Sequence, residues 1–210
     1  LSRLANWELF LHEQTSIHPL IRMAAGLFQF LAISPFPAAN MRSAHVVSQL
    51  FLMNSAVMKA PILNLSVYLL KYRRTYEDLF IAVIQQNKWL EWLEFVLKAV
   101  LHQAQRLESR IIALDQLCNT VAQQVEGIAL RGDKEMLVRV LMQNPYCASK
   151  HLVDAGVVQR HSAALYLKKL RDAGLLQDFK QGRDKLYVNS NLLNVIDSDR
   201  LEENVIGSRI

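Results

Sequence analysis

The sequence predicts a mainly α protein, a helical bundle followed by a smaller part that carries a β-hairpin. Three observations support this. Apolar residues recur at three- and four-residue steps through the first 130 positions, which is the helical period. From Leu90 to Val125 there is neither proline nor glycine, so nothing interrupts a helix there. Only after Gly174 does the pattern change to period two, in residues 175–179 and 185–189, on either side of a basic tip at 180–184.

The elements follow in order. Residues 1–13 read as a helix with Leu4, Trp7, Phe10 and Leu11 on its apolar face, and His18-Pro19 breaks the chain after it. Residues 20–33 are apolar nearly all round, which suits a central buried helix. Pro35 and Pro37 fix φ and disfavour helix in the residue before each, so a stiff loop follows Ile33. Asn40 is a favoured N-cap type, and Val46, Val47, Leu50 and Met53 resume the helical period, predicting a helix over 41–57 that Lys59-Ala60-Pro61 ends. Residues 66–86 read as one helix, and Trp89 begins another that, with no proline or glycine up to Val125, continues as one long helix or as two nearly collinear ones. On that rod Leu107, Ile111, Leu114, Cys118, Val121 and Val125 form a stripe, expected to pack back on the first part or to pair with a second copy in a homodimer.

Gly127 and Arg131-Gly132-Asp133 read as a linker. After it come helix 134–143, a turn at Asn144-Pro145-Tyr146, helix 149–155, a tight turn at Gly156, and helix 159–173 closed by Gly174. The expected domains are therefore 1–100, a connecting helix and linker at 101–130, a second domain at 131–196, and a tail at 197–210.

Composition narrows the class. With 210 residues, 51% hydrophobic and 20% charged, the chain can bury two modest cores. Cys118 and Cys147 have no metal-ligand companions, which predicts reduced thiols and a cytoplasmic setting. The longest apolar runs are broken by Arg22, Gln49, Asn54, Lys59 and Pro61, so no membrane span is expected. The net charge of +5 is uneven: residues 1–130 carry +2, residues 131–196 carry +5 and the tail carries −2. Basic character confined to the second domain suggests nucleic acid as a partner.

The loop Ser34-Pro35-Phe36-Pro37-Ala38-Ala39-Asn40-Met41-Arg42-Ser43-Ala44-His45 resembles the signature of the Fic family, His-Pro-Phe-x-x-Gly-Asn-Gly-Arg-x-x-Arg. Pro35, Phe36, Asn40 and Arg42 match it. Ser34 stands for the His, Ala39 and Met41 for the two Gly, and His45 for the second Arg. The flanks continue the resemblance over residues 7–100, with Phe28-Gln29-Phe30, Leu65-Ser66-x-Tyr68, Arg73-x-x-Tyr76 and Trp89-x-x-Trp92. Fic proteins typically transfer AMP or another phosphate-containing group from a nucleotide to a protein hydroxyl, so the resemblance implies ATP with magnesium as cofactors and a protein target as partner. It also implies an upstream flap that docks the target. The chain opens at Leu1 inside a helix, so the sequence is expected to be part of something longer.

Each substitution removes a piece of that chemistry. The family's His is a general base, and a serine hydroxyl cannot titrate near neutral pH. Many members hold magnesium with an acidic residue where this chain has Ala38, which has no oxygen to offer. The glycines admit a phosphate against the backbone, whereas Ala39 and Met41 penalise that approach. No catalytic residue is therefore assigned, and Ser34 marks the degenerate position. Asn40, Arg42 and His45 remain as candidate nucleotide or anion ligands at a helix start.

Residues 133–196 resemble the winged-helix domain that often follows Fic domains, notably in Ser162-Ala163-x-x-Tyr166-Leu167-x-x-Leu170 and Ala173-Gly174-Leu175-Leu176. The resemblance implies that the helix beginning near Gln159 enters the major groove of duplex DNA, although winged helices also serve as protein-binding or dimerisation modules and Ala164 and Leu165 are poor base readers. Gln159, Arg160, His161 and Ser162 would then face bases or phosphates, and Lys168, Lys169, Lys180, Arg183 and Lys185 would contact phosphates. Two functions stay open: a catalytically silent Fic-like regulator that binds DNA, and a protein adenylyltransferase that works through non-standard residues.

Overall fold

The computed structural model of the protein describes residues 2–181 and 184–197, with residues 180, 181, 184 and 185 described as backbone only. The chain is mainly α, with one small antiparallel sheet, and divides into two compact units, Leu1–Leu107 and Glu108–Ile210.

The first unit contains α1 (Ser2–Glu13), α2 (Pro19–Ile33), α3 (Asn40–Asn54), α4 (Leu65–Lys71), α5 (Arg73–Gln86) and the first part of α6 (Trp89–Gly127). Its core forms around α2, where Met23, Ala24, Leu27, Phe28 and Phe30 are all buried. Two tryptophans bury their rings there and send their indole N–H groups to carbonyls of α2, so neither polar atom is orphaned. Trp7 Nε1 donates to Gly26 O at 2.8 Å, and the fully buried Trp92 donates to Ala24 O at 2.9 Å. Gly26 sits inside a helix because α1 comes so close: a Cβ there would lie 2.7 Å from Leu11 Cδ2. Arg22 is buried too, and its Nη1 donates to Leu11 O at 2.6 Å, satisfying a carbonyl in the last turn of α1.

Two boundaries differ from the sequence reading. The expected single helix over 66–86 is broken at Tyr72 (φ −109°, ψ 37°). The change of direction lets Leu65 and Leu69 on one side and Tyr76 and Val83 on the other reach the same core. The helix expected to run to 57 ends at Asn54, with the Ser55 N–H closing on Phe51 O and Ala56 at φ 56°, so Lys59-Ala60-Pro61 lies beyond the stop.

The second unit takes the last turns of α6 and adds α7 (Lys134–Gln143), β1 (Tyr146–Cys147), α8 (Ser149–Asp154), α9 (Arg160–Asp172), β2 (Gln177–Gln181), β3 (Asp184–Val188) and α10 (Ser190–Ile196). Asp133 caps α7 by accepting from Met136 N at 2.9 Å. Gly156 takes φ 71° between α8 and α9, and Gly174 takes φ 78° after α9, both in the left-handed region that glycine enters at little cost. Leu137, Leu141, Leu152, Leu167 and Leu170 fill the core. The C-terminal half of the stripe belongs to this core: Val121 and Val125 are buried in it, with Cys118 against it, while Ile111 is exposed. For those three residues that replaces the expectation of packing on the first part.

The sheet order is β1-β3-β2, all antiparallel, with Tyr146 opposite Val188 and Phe179 opposite Leu186. β2 starts two residues later than the alternation predicts, because Leu175 and Leu176 go into the core before it begins, while β3 starts one residue earlier, at Asp184. The turn expected at Asn144-Pro145-Tyr146 gives way at Tyr146 to β1, and α10 is an element the sequence pattern does not predict. Asn189, read as strand, instead caps α10 by accepting from Leu192 N at 3.1 Å. Among the described residues no helix is long and apolar enough to cross a membrane. Cys147 is buried, and burial pushes its thiol up to about 11, which makes it a packing residue.

Candidate functional site

The loop between α2 and α3 is held by one side chain. Asn40 Oδ1 accepts from Phe36 N at 3.0 Å, and its Nδ2 donates to Phe36 O at 2.7 Å and to Ser34 Oγ at 2.9 Å. All of these bonds run back across the loop, so Asn40 is not the expected N-cap. The cap position falls on Ala39, which has no side-chain cap. Both ends of the loop are left-handed, Ser34 at φ 48° and Ala39 at φ 65°. Ala39 thus adopts the geometry that a glycine would enter freely, at a cost of about 1–2 kcal/mol. Ser34 Oγ is taken by Asn40, and no titratable group hydrogen-bonds to it.

Past the loop, α3 turns two of the expected ligands toward one cavity. Arg42 and His45 share its wall with Ser66, Arg73, Tyr76 and Glu77, and the cavity, open to solvent at its exposed residues, has a volume of about 470 Å³. Met41, Leu69 and Leu70 supply the apolar part. Asn40 is not on this wall. His45 is nine-tenths buried; its Nδ1 lies 2.7 Å from Ser66 Oγ, and its Nε2 has no partner. Burial lowers its pKa, so at neutral pH His45 brings no positive charge. An orphaned buried N–H costs more than an idle lone pair, so the favoured tautomer has Nδ1–H donating to Ser66 and leaves the Ser66 hydroxyl free to donate. Burial also holds the Tyr76 phenol well above its usual pKa, and its hydroxyl has only a long 3.5 Å contact, to Met41 Sδ. Arg73 pairs with Glu77 at 2.7 Å. Arg42 is exposed, and no carboxylate pairs with it among the described residues. Ser66, Arg73 and Tyr76 were noted in the sequence only as flanking matches; their roles as wall residues depend on the break at Tyr72, which the sequence did not signal.

In the second unit, α9 buries Ala163, Tyr166, Leu167 and Leu170 and leaves Gln159, Arg160, His161, Ala164, Leu165 and Lys168 exposed, with Ser162 half-buried. Lys169, expected on the same face, turns away: its Nζ donates to Ala129 O at 2.8 Å. Arg171 is likewise engaged, with Asp178 at 2.8 Å and Asp172 at 2.6 Å. Tyr166 ties the linker down, accepting from Arg131 N at 3.0 Å and donating to Arg131 O. Arg183 lies outside the described residues, and Lys180 and Lys185 are placed by backbone alone, paired with each other in the β2–β3 register. No group of three or more His, Cys, Asp or Glu that could hold a metal ion occurs among the described residues.

Residues 117–192 match the family model described as "Protein adenylyltransferase SoFic-like, C-terminal domain". The second unit is similar to that domain. The match begins in α6 near Leu117, where the helix joins the second core, and ends in α10 at Leu192, so it takes in nearly all of that core. It covers a little over a third of the chain and supports a relation to the Fic family.

Proposed function

We propose that the protein is a Fic-related regulator whose first unit has lost group-transfer chemistry and whose second unit is a winged helix that binds duplex DNA through α9. The observation that carries the DNA reading is the outer face of α9. Arg160, His161 and Lys168 are exposed there beside the small Ala164, directly after a tight glycine turn and next to a hairpin. The net charge of +5 over residues 131–196 favours the same partner.

For the first unit, the support is the state of Ser34. Its hydroxyl accepts from Asn40, no base hydrogen-bonds to it among the described residues, and the imidazole of His45 is bound to Ser66 instead. The competing reading, AMP transfer through other residues, draws on the matched family's description as an adenylyltransferase. Two measurements separate them. Incubation with radiolabelled ATP and magnesium is expected to leave neither the protein nor a generic protein target labelled; incorporation that Arg42→Ala abolishes would establish the enzyme. A mobility-shift assay at low salt is expected to retard a random duplex pool, and absence of any shift would refute the DNA reading.

A further inference from the structure

We propose that the cavity between α3, α4 and α5 is a binding site for a small organic carboxylate with an apolar body. This goes beyond the DNA reading and does not rest on it.

The wall has the composition of such a site. Ligand pockets of roughly 300–1,000 Å³ are mostly apolar with a few convergent polar groups, and this one, at about 470 Å³, falls in that range. Met41, Leu69 and Leu70 offer apolar surface to the body of a ligand. The polar groups facing it are biased toward donors. Arg42 brings an unpaired cation, and Ser66 and Tyr76 bring hydroxyl protons, the first set free by the His45–Ser66 bond and the second held only weakly by Met41. The one carboxylate on the wall, Glu77, is already bound to Arg73, so it does not neutralise Arg42. The wall keeps two acceptors, the Glu77 carboxylate already bound to Arg73 and the bare Nε2 of His45, but its unengaged charge is the Arg42 cation, and with the hydroxyl donors and the apolar residues that suits a carboxylate head on a hydrocarbon body. A bare phosphate would leave the leucines exposed to water, and a cation would meet Arg42.

His45 makes the arrangement specific. Because it is buried and neutral, its role is to orient Ser66, which makes it a positioning residue for this site.

The probes are octanoate, octanol, inorganic phosphate and ATP with magnesium, each titrated calorimetrically into the full protein. Octanoate is expected to bind with one site, with octanol and phosphate each at least tenfold weaker. Arg42→Gln, at an exposed position that leaves the core intact, should weaken octanoate at least tenfold while leaving the thermal midpoint unchanged. Leu70→Glu, also at an exposed position, should do the same by placing a like charge beside the ligand. The proposal is overturned if octanoate shows no saturable binding, if octanol binds as well as octanoate, if Arg42→Gln has no effect, or if ATP binds and octanoate does not compete with it. DNA binding is read separately by mobility shift, so failure here is distinguishable from failure of the regulator reading.

Discussion

If α9 contacts DNA, the contribution of Lys168 can be computed and compared with that of its neighbour Lys169. Lys168 is exposed, has no ion pair among the described residues, and lies eight residues from Arg160, about 12 Å along the helix axis. The two cations would therefore meet different phosphates or a phosphate and a base. Each phosphate neutralised contributes about −0.9 to the slope of log K against log salt. Lys168→Gln should flatten the slope by that amount, so between ~50 and ~200 mM salt the wild type should lose about 3.5-fold more affinity than the variant. Lys169→Gln is the internal control. Its ammonium is held 2.8 Å from Ala129 O, so removing it should leave the slope nearly unchanged. Arg160→Ala should act differently again, reducing discrimination between sequences by about 1–3 kcal/mol if it reads a guanine. Fluorescence anisotropy on one duplex across a salt series measures all three. Equal flattening by Lys168→Gln and Lys169→Gln, or none by either, would refute the assignment of this face.

Two further outcomes test the first unit. Ala39→Gly should raise stability by about 0.5–1 kcal/mol, the left-handed cost of alanine less the extra unfolded-state entropy of glycine, seen as a rise of a degree or more in the unfolding midpoint; a lower midpoint would show that the φ of 65° carries no strain. His45 has its pKa lowered in the folded protein by burial from an ordinary value of 6.5, so the unfolded chain takes up the proton first and stability should fall as pH drops below about 6.5. His45→Gln should show a shallower loss between pH 7 and pH 5 in urea unfolding, and equal slopes would place the charge sensitivity elsewhere.

The helices were legible because their signals are local. Residues 134–143 were bounded correctly by Asp133 at one end and Asn144 at the other, and the long rod by the absence of proline and glycine. What the sequence hid was whatever depends on distant partners. Nothing in Tyr72 itself breaks a helix; the break follows from burying Leu69 and Tyr76 in one core. Tyr146-Cys147 is too short to alternate and becomes a strand only because β3 runs beside it. The same limit applies to the site. Lys168 and Lys169 are equivalent in the sequence, and only the placement of Ala129 separates a free cation from an engaged one. Similarly, the stripe from Leu107 to Val125 announced a buried face without saying which core would take it.

Asn40 carries most of the hydrogen bonding that shapes the loop. Its amide has one acceptor and two donors, and the loop uses all of them: Phe36 N–H on the oxygen, Phe36 O and Ser34 Oγ on the nitrogen. These bonds fix a segment in which two residues, Ser34 and Ala39, sit in the left-handed region without being glycine, so losing the amide would release the loop and expose that strain. The positions that differ from the Fic pattern carry less of this bonding. Ser34 needs only an acceptor for Asn40, Ala38 makes no bond in the loop, and Ala39 tolerates its φ at modest cost. Architecture and chemistry therefore constrain different residues of one short stretch. The asparagine and the prolines are what shape this loop. Their presence in this chain is explained by the hydrogen bonds they make and the φ they fix, and it gives no support to catalysis.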